Sequence, residues 1–542
     1  MQLRAADRTY GTAQALAALV ALSLLAACIL GASPAPKPPV SKEQRIRGLI
    51  EQLGAEDYAS RQRAQEELAR LGFDAYDELS AAATHPDLEI AARARYLLRL
   101  IRVQWISEND PPQVKAILQD YEVHSAVERL RRILRLASLS RKASLPGLCR
   151  LVRFERVALL SKYAAVQIVR REPADPAARA QYQQALREHL GKSRQPAAGW
   201  LSTYLRLRED PAALAEWTKL AEAEEQTLVR RAVETSIPEF VSASIHREIV
   251  AALIYQQAIV ELEQGKTEAA EQTARKAREG GPFWRGDQLG AHMGTAYALR
   301  ERGLFRWAEL EYRRVIETGI SPQWVRAYIG LSEMFHDQGK HLAAAEARQE
   351  ILRAVEAGRL RDAALDDLQI SVPEIRARMN YFFACHWEEQ GDRQKQRKHL
   401  EEAIQADPRE IDTLIACYRL PDPPAEFRKK VAELISRAAS ELRTEIEDQP
   451  DNPHAYNQFA WLIGNTEGDY DEALAFSHKA LELSPDNGAF CDTLARVYFA
   501  KGDLENALKY QLQAHELEPH SGLIAKQLKQ FQQAHAKKAQ KK

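Results

Sequence analysis

The sequence predicts an all-α protein, an α-solenoid of helix–turn–helix repeats. Three observations predict it. Ala, Leu, Glu, Arg and Gln dominate, and alternating β-branched runs are almost absent, so residue usage favours helix over strand. The stretch CDTLARVYFAKGDLENALKYQLQAHELEP (residues 491–519) holds two helical patterns around a Gly-Asp turn and ends on Glu-Pro. Moved back by 34 positions it nearly repeats: Gly468 and Asp469 fall on Gly502 and Asp503, Ala473 on Ala507, Ala480 on Ala514 and Pro485 on Pro519. Two helices per 34 residues is a solenoid period.

The chain begins with an apolar segment. Arg4 and Arg8 precede an apolar run over about residues 15–32, which reads as a signal peptide or membrane anchor over 1–32. Leu25-Ala26-Ala27-Cys28 resembles a bacterial lipobox, whose signal is cut before a Cys that then carries the lipid. This makes Cys28 a lipidation candidate, although the apolar run continues through Ile29 and Leu30. Two alternatives stand beside it. About 18 apolar residues at 1.5 Å each span roughly 27 Å, enough for an uncleaved anchor. Cleavage near Gly31-Ala32-Ser33 would release the body. Lys37, Lys42, Arg45 and Arg47 follow the run, so charge does not fix the orientation. Pro34, Pro36, Pro38 and Pro39 make residues 33–40 a stiff tether.

Residues 41–105 read as four helices, with Asp57 and Asp87 as N-caps, Gly72 as a C-cap and Pro86 as a stop. HPDLEIAARARYLLRLI resembles the second helix of a HEAT-like repeat through Asp87, Ile90, Ala94 and Leu97, with Ala91 where that family has Arg. Residues 106–238 continue as irregular amphipathic helices such as AVERLRRILRLASLS, with a hinge placed near Ser236-Ile237-Pro238.

The body over 250–520 carries the period. Gly502 permits the left-handed turn that ends one helix, and Asp503 caps the next. Ala507 and Ala514 are small enough for helices to approach to about 8–10 Å. Pro519 cannot continue its helix. With Leu494, Ala495 and Tyr498 these residues make the stretch resemble the tetratricopeptide repeat (TPR) family, departing at Cys491 and Gln511. The preceding unit fits through Phe459, Ala460, Ala473, Ala480 and Pro485, with two extra residues before Gly468. Weaker copies lie at 251–280, 289–319, 325–352 and 377–408. Residues 409–450 read as a degenerate unit with the breaker Pro421-Asp422-Pro423-Pro424 and an overlong second helix. Residues 521–542 read as a polar capping helix with a frayed basic tail.

Chemistry is sparse. No P-loop, GxGxxG, GxSxG or HExxH motif occurs. Five cysteines (Cys28, Cys149, Cys385, Cys417, Cys491) form no CxxC pair and no disulfide framework; the last four read as buried small hydrophobes. His336 and His341 flank Gly339, but as zinc ligands they lack partners and read as a solvated turn. Cys385 and His386 are neighbours on a helix and point apart. His515 and His520 read as structural. Trp307, Trp324, Trp387 and Trp461 read as core. With 75 basic and 76 acidic residues the chain lacks the excess that a dedicated nucleic-acid binder needs.

What the resemblance implies is a concave groove lined by first-helix residues. In the better-aligned copies these are Arg326, Ile329, Glu333 and His336; Arg378, Tyr381, Cys385 and Glu388; and Ala489, Asp492, Arg496 and Phe499. The Lys/Asn/Arg set that chaperone-binding TPRs use is not found, although Asn457 and Arg496 are isolated candidates. The expectation is a non-catalytic scaffold with no cofactor or metal, held in a bacterial envelope through its N-terminus, with a protein or peptide partner and no nucleic acid. An enzyme with a site hidden in helices 106–235, and a self-assembling envelope protein, are the alternatives.

Overall fold

In the computed structural model, the structure describes residues 41–540 except 174, 192, 194, 230–236, 280–288 and 362–364. The candidate signal, Cys28 and the Pro-rich tether lie outside them, as does Ser236 of the expected hinge. Every regular element among the described residues is helical. No described helix is long and apolar enough to cross a membrane. Contacts divide the chain into two units that meet between Val103 and Gln104.

The first unit holds α1 (Lys42–Gln52), α2 (Tyr58–Leu71), α3 (Tyr76–Ala82) and α4 (Leu88–Leu100). Its helix ends are set by short polar side chains. Ser41 and Gln44 form a reciprocal capping box. Asp57 and Asp87 accept from the first-turn amides of α2 and α4, and Gly72 ends α2 at φ +55°. Each helix puts one apolar stripe inward: Ile46, Leu68, Leu79, Ile90 and Leu97 are buried. A fully buried side chain of this size contributes about 1.5–3 kcal/mol.

The second unit begins with α5 (Pro112–Leu118), α6 (Ala126–Ser138), α7 (Arg141–Phe154), α8 (Ala158–Arg170), α9 (Pro176–Leu190), α10 (Pro196–Tyr204) and α11 (Pro211–Val229). Pairs follow: α12 (Glu239–Glu263) with α13 (Thr267–Glu279), α14 (Leu289–Glu301) with α15 (Phe305–Glu317), α16 (Pro322–Asp337) with α17 (His341–Glu356), and α18 (Val372–Glu389) with α19 (Arg393–Ala406). The next pair is lopsided, with α20 (Ile411–Tyr418) short and α21 (Ala425–Asp448) long. Then come α22 (Pro453–Asn465) with α23 (Tyr470–Leu483), α24 (Gly488–Lys501) with α25 (Leu504–Leu517), and a last helix α26 (Gly522–Gln540).

The repeat residues act as their chemistry requires. Gly502 sits at φ +86°, and Asp503 caps α25 through the Asn506 amide. Ala473, Ala480, Ala507 and Ala514 are fully buried. Successive repeats approach closely at Gly464, where a Cβ would lie 2.9 Å from Val497 Cγ2. The tail is helical to Gln540 rather than frayed from Lys526, because Ile524, Leu528 and Phe531 bury one face.

The second unit also closes on itself. Gln113 donates to the Leu483 carbonyl (2.8 Å). Ser521 donates to Asp337 (2.7 Å), and the His520 ring meets Phe305 edge-on (6.4 Å). This seam joins the last repeat to α14–α16.

Candidate functional site

A dense polar cluster is built on Arg378 of α18. Its guanidinium donates to both oxygens of Glu333 (3.2 and 3.0 Å), to Glu410 (2.9 Å) and to Asp412 (2.6 Å). It also lies over the Tyr381 and Phe382 rings at 5.1 and 4.9 Å. Arg348 adds a second donor to Glu333 (2.7 Å), and the Trp461 indole donates to Asp412 (2.9 Å). Burial raises the Glu333 carboxyl, but Arg378 and Arg348 outweigh it and hold it well below the usual range. Asp412 is likewise held down, chiefly by Arg378 working against burial. Glu410 is raised, by burial first and by the Asp412 charge.

Three groove candidates, Glu333, Arg378 and Tyr381, thus meet in one place, but they face one another. Sequence reasoning missed Arg348, Glu410 and Asp412, and it read Trp461 as plain core. Glu410 and Asp412 open the lopsided α20–α21 pair, where no family position could be aligned.

His336 and His341 correct a sequence expectation. They are buried, not solvated. Gly339, at φ +74°, reverses the chain so that their Nδ1 atoms stand 2.9 Å apart. Cys385, only half-buried, comes from α18 to join them, and the three donor atoms lie within 4.8 Å of one another. Glu389 faces His341 Nε2 at 3.3 Å. Burial, with the charge of Arg378, pushes His336 down to about 3, and burial lowers His341 too. Burial pushes the Cys385 thiol up to about 12. His386 turns away and packs edge-on against Trp387 (4.9 Å). Cys149, Cys417 and Cys491 are buried free thiols.

The last repeat's candidates are covered by the chain itself. Asp492 accepts from Gln511 (2.6 Å) and Gln527 (3.0 Å), and burial pushes it up to about 6. Phe499 stacks on Phe531 of α26 at 4.3 Å. Arg496 donates to the Gly464 carbonyl (2.9 Å) and lies 5.2 Å from the Phe499 ring. The reason is that a terminal helix must cover the apolar face that a further repeat would otherwise bury. Arg326 and Glu388 are exposed, while Ile329 is half-buried.

Polar residues also converge where the sequence showed no pattern for them. Glu172 is buried and accepts from Tyr204 (2.5 Å), both Arg208 nitrogens (2.9 and 2.8 Å) and Arg302 (3.0 Å). Burial raises its pKa, but Arg302 and Arg208 outweigh this and hold it below the ordinary range. A carboxylate so fully engaged is a structural lock, since no lone pair remains for a substrate proton. Beside it runs a cleft of about 870 Å³. Its walls come from α6–α9, from α14 through Tyr297 and Glu301, and from the last repeat through Asp486 and Glu518.

Residues 466–521 match the tetratricopeptide repeat family model. These residues carry tetratricopeptide repeats. Solved structures similar to this chain include a tetratricopeptide repeat protein from Parabacteroides merdae ATCC 43184. It is 11% identical, with 52% of this chain and 98% of that one covered and a TM-score of 0.29. YrrB, described as a TPR protein with an unusual peptide-binding site, is 16% identical over 46% and 91% at a TM-score of 0.17. The P58(IPK) TPR domain is 17% identical over 61% and 99% at 0.18. No curated protein matches the sequence.

Proposed function

We propose that this TPR protein is a non-catalytic scaffold that binds an extended peptide or protein segment in the cleft. The supporting observation is the contrast between the two polar regions. The residues around Arg378 are paired with one another, whereas the cleft is open. Tyr297 is 44% exposed on its wall, and Lys142, His189 and Glu301 are exposed around it. An exposed aromatic among mixed charges is the kind of anchor on which interface energy concentrates. Tyr297→Arg keeps the helix and spoils the anchor. A pull-down from detergent-solubilised cells with the full chain is expected to recover a partner that the variant loses. An unchanged partner set would sink the cleft as the binding surface. The scaffold reading itself fails if no partner appears and the purified mass does not change with concentration.

The attachment is part of the same proposal. Residues 1–32 hold the chain in the cell envelope, with Cys28 as the lipidated residue and 33–40 as the tether. The full chain is expected in the membrane fraction and Cys28→Ser in the soluble one. A Cys28→Ser chain that stays with the membrane would favour the uncleaved anchor.

A further inference from the structure

Three soft or borderline donors meet where the α16–α17 turn packs on α18. His336 ends α16, His341 opens α17, and Cys385 lies within α18. The turn itself is tightly specified: Gly339 donates to the His336 carbonyl (2.9 Å) and Lys340 to the Phe335 carbonyl (2.8 Å). These two hydrogen bonds set the turn that brings the two rings together. We propose that His336 Nδ1, His341 Nδ1 and Cys385 Sγ form a zinc site. This goes beyond the scaffold reading and does not depend on the cleft.

The donor set decides the class of ion. Two imidazoles and a thiol suit zinc, and no carboxylate oxygen is among the three, which disfavours magnesium and calcium. The distances are close to those needed. Tetrahedral zinc, with about 2.0–2.1 Å to nitrogen and about 2.3 Å to sulfur, sets its ligands about 3.3–3.6 Å apart. The two Nδ1 atoms stand at 2.9 Å, and all three donors lie within 4.8 Å of one another. Side-chain rotations of about an ångström close the difference.

The surroundings fit as well. Glu389 accepts from His341 Nε2, which leaves Nδ1 as the lone-pair nitrogen, the carboxylate–histidine arrangement that orients zinc ligands. Glu388 lies three residues from Cys385 on the same face of α18 and is exposed, so it or water can take the fourth position. Five carboxyl groups (Glu333, Glu388, Glu389, Glu410, Asp412) surround the donors, against the cations Arg348, Arg378 and Lys526. Arg378 opposes added positive charge at His336, whereas Glu389 and Glu388 favour it at His341.

Cobalt is the spectroscopic probe. The purified full chain, stripped with a chelator, is titrated with Co²⁺ and then with Zn²⁺ in competition. One equivalent of Co²⁺ should bind, with a near-ultraviolet sulfur-to-cobalt charge-transfer band and tetrahedral d–d bands that zinc bleaches. Cys385→Ser should abolish the charge-transfer band while keeping its helical circular dichroism. His341→Gln should weaken binding at least about tenfold, and Glu389→Gln about 10–100-fold. Zinc should raise the melting midpoint of the wild type and leave that of Cys385→Ser unmoved. The proposal is overturned if the wild type takes up no stoichiometric metal, or if the charge-transfer band survives in Cys385→Ser.

Discussion

Replacing Arg378 with alanine is expected to cost about 3–5 kcal/mol of stability, the largest effect of any single change in the solenoid. The guanidinium joins Glu333 of α16 to Glu410 and Asp412 at the start of α20, so one side chain ties three successive repeats. Removing it leaves three carboxyl groups facing one site. Arg348 still covers Glu333 and Trp461 still donates to Asp412, whereas Glu410 keeps the Thr413 amide as its donor. Arg378→Lys keeps the charge but loses the fork, and should cost less than alanine. The loss in Arg378→Ala should shrink below about pH 5, where the stranded carboxyls can take protons. Urea midpoints followed by circular dichroism at pH 5 and pH 8 check this. A midpoint in Arg378→Ala equal to the wild type at pH 8 would show that the cluster contributes nothing net.

Much of this fold is legible in the sequence because solenoid contacts are local. Gly502, Asp503, Ala507 and Pro519 each act on neighbours within one unit, so a period of 34 residues exposes them. Caps at Asp57, Asp87, Asp469 and Asp503 are visible for the same reason. The site residues are less legible. His336 and His341 can be seen five residues apart, but Cys385 reaches them only through packing of the next helix pair. Glu410 and Asp412 sit at a helix of eight residues, where the period slips. The seam was not readable at all. Closing α14–α16 on the last repeat depends on small rotations summed over the intervening units, and no one residue specifies that sum.

The seam has a carboxyl group that should make it sensitive to pH. Glu518 accepts from the Ala489 amide (3.1 Å), and Glu301, Asp337 and Asp492 add negative charge nearby. Burial, then Glu301, pushes Glu518 up to about 7 from an ordinary value of 4.5. An acid whose folded pKa is raised favours the protonated form in the folded chain. Its contribution is therefore full below about pH 4.5 and is lost as pH rises to about 7. The loss should amount to about 2 kcal/mol once the remaining solvent access is allowed for. Glu518→Gln keeps an acceptor for the Ala489 amide and removes the charge. It should flatten most of the fall in stability over that window and be more stable than the wild type at pH 8. Asp492, raised to about 6, should leave a residual slope in the variant. Ser521 and His520 lie beside Glu518 on the seam, so protease access to the 518–522 turn should rise with pH in the wild type more than in Glu518→Gln. Identical pH profiles for the two proteins would mean that Glu518 titrates as an ordinary surface acid and that the seam is held by packing alone.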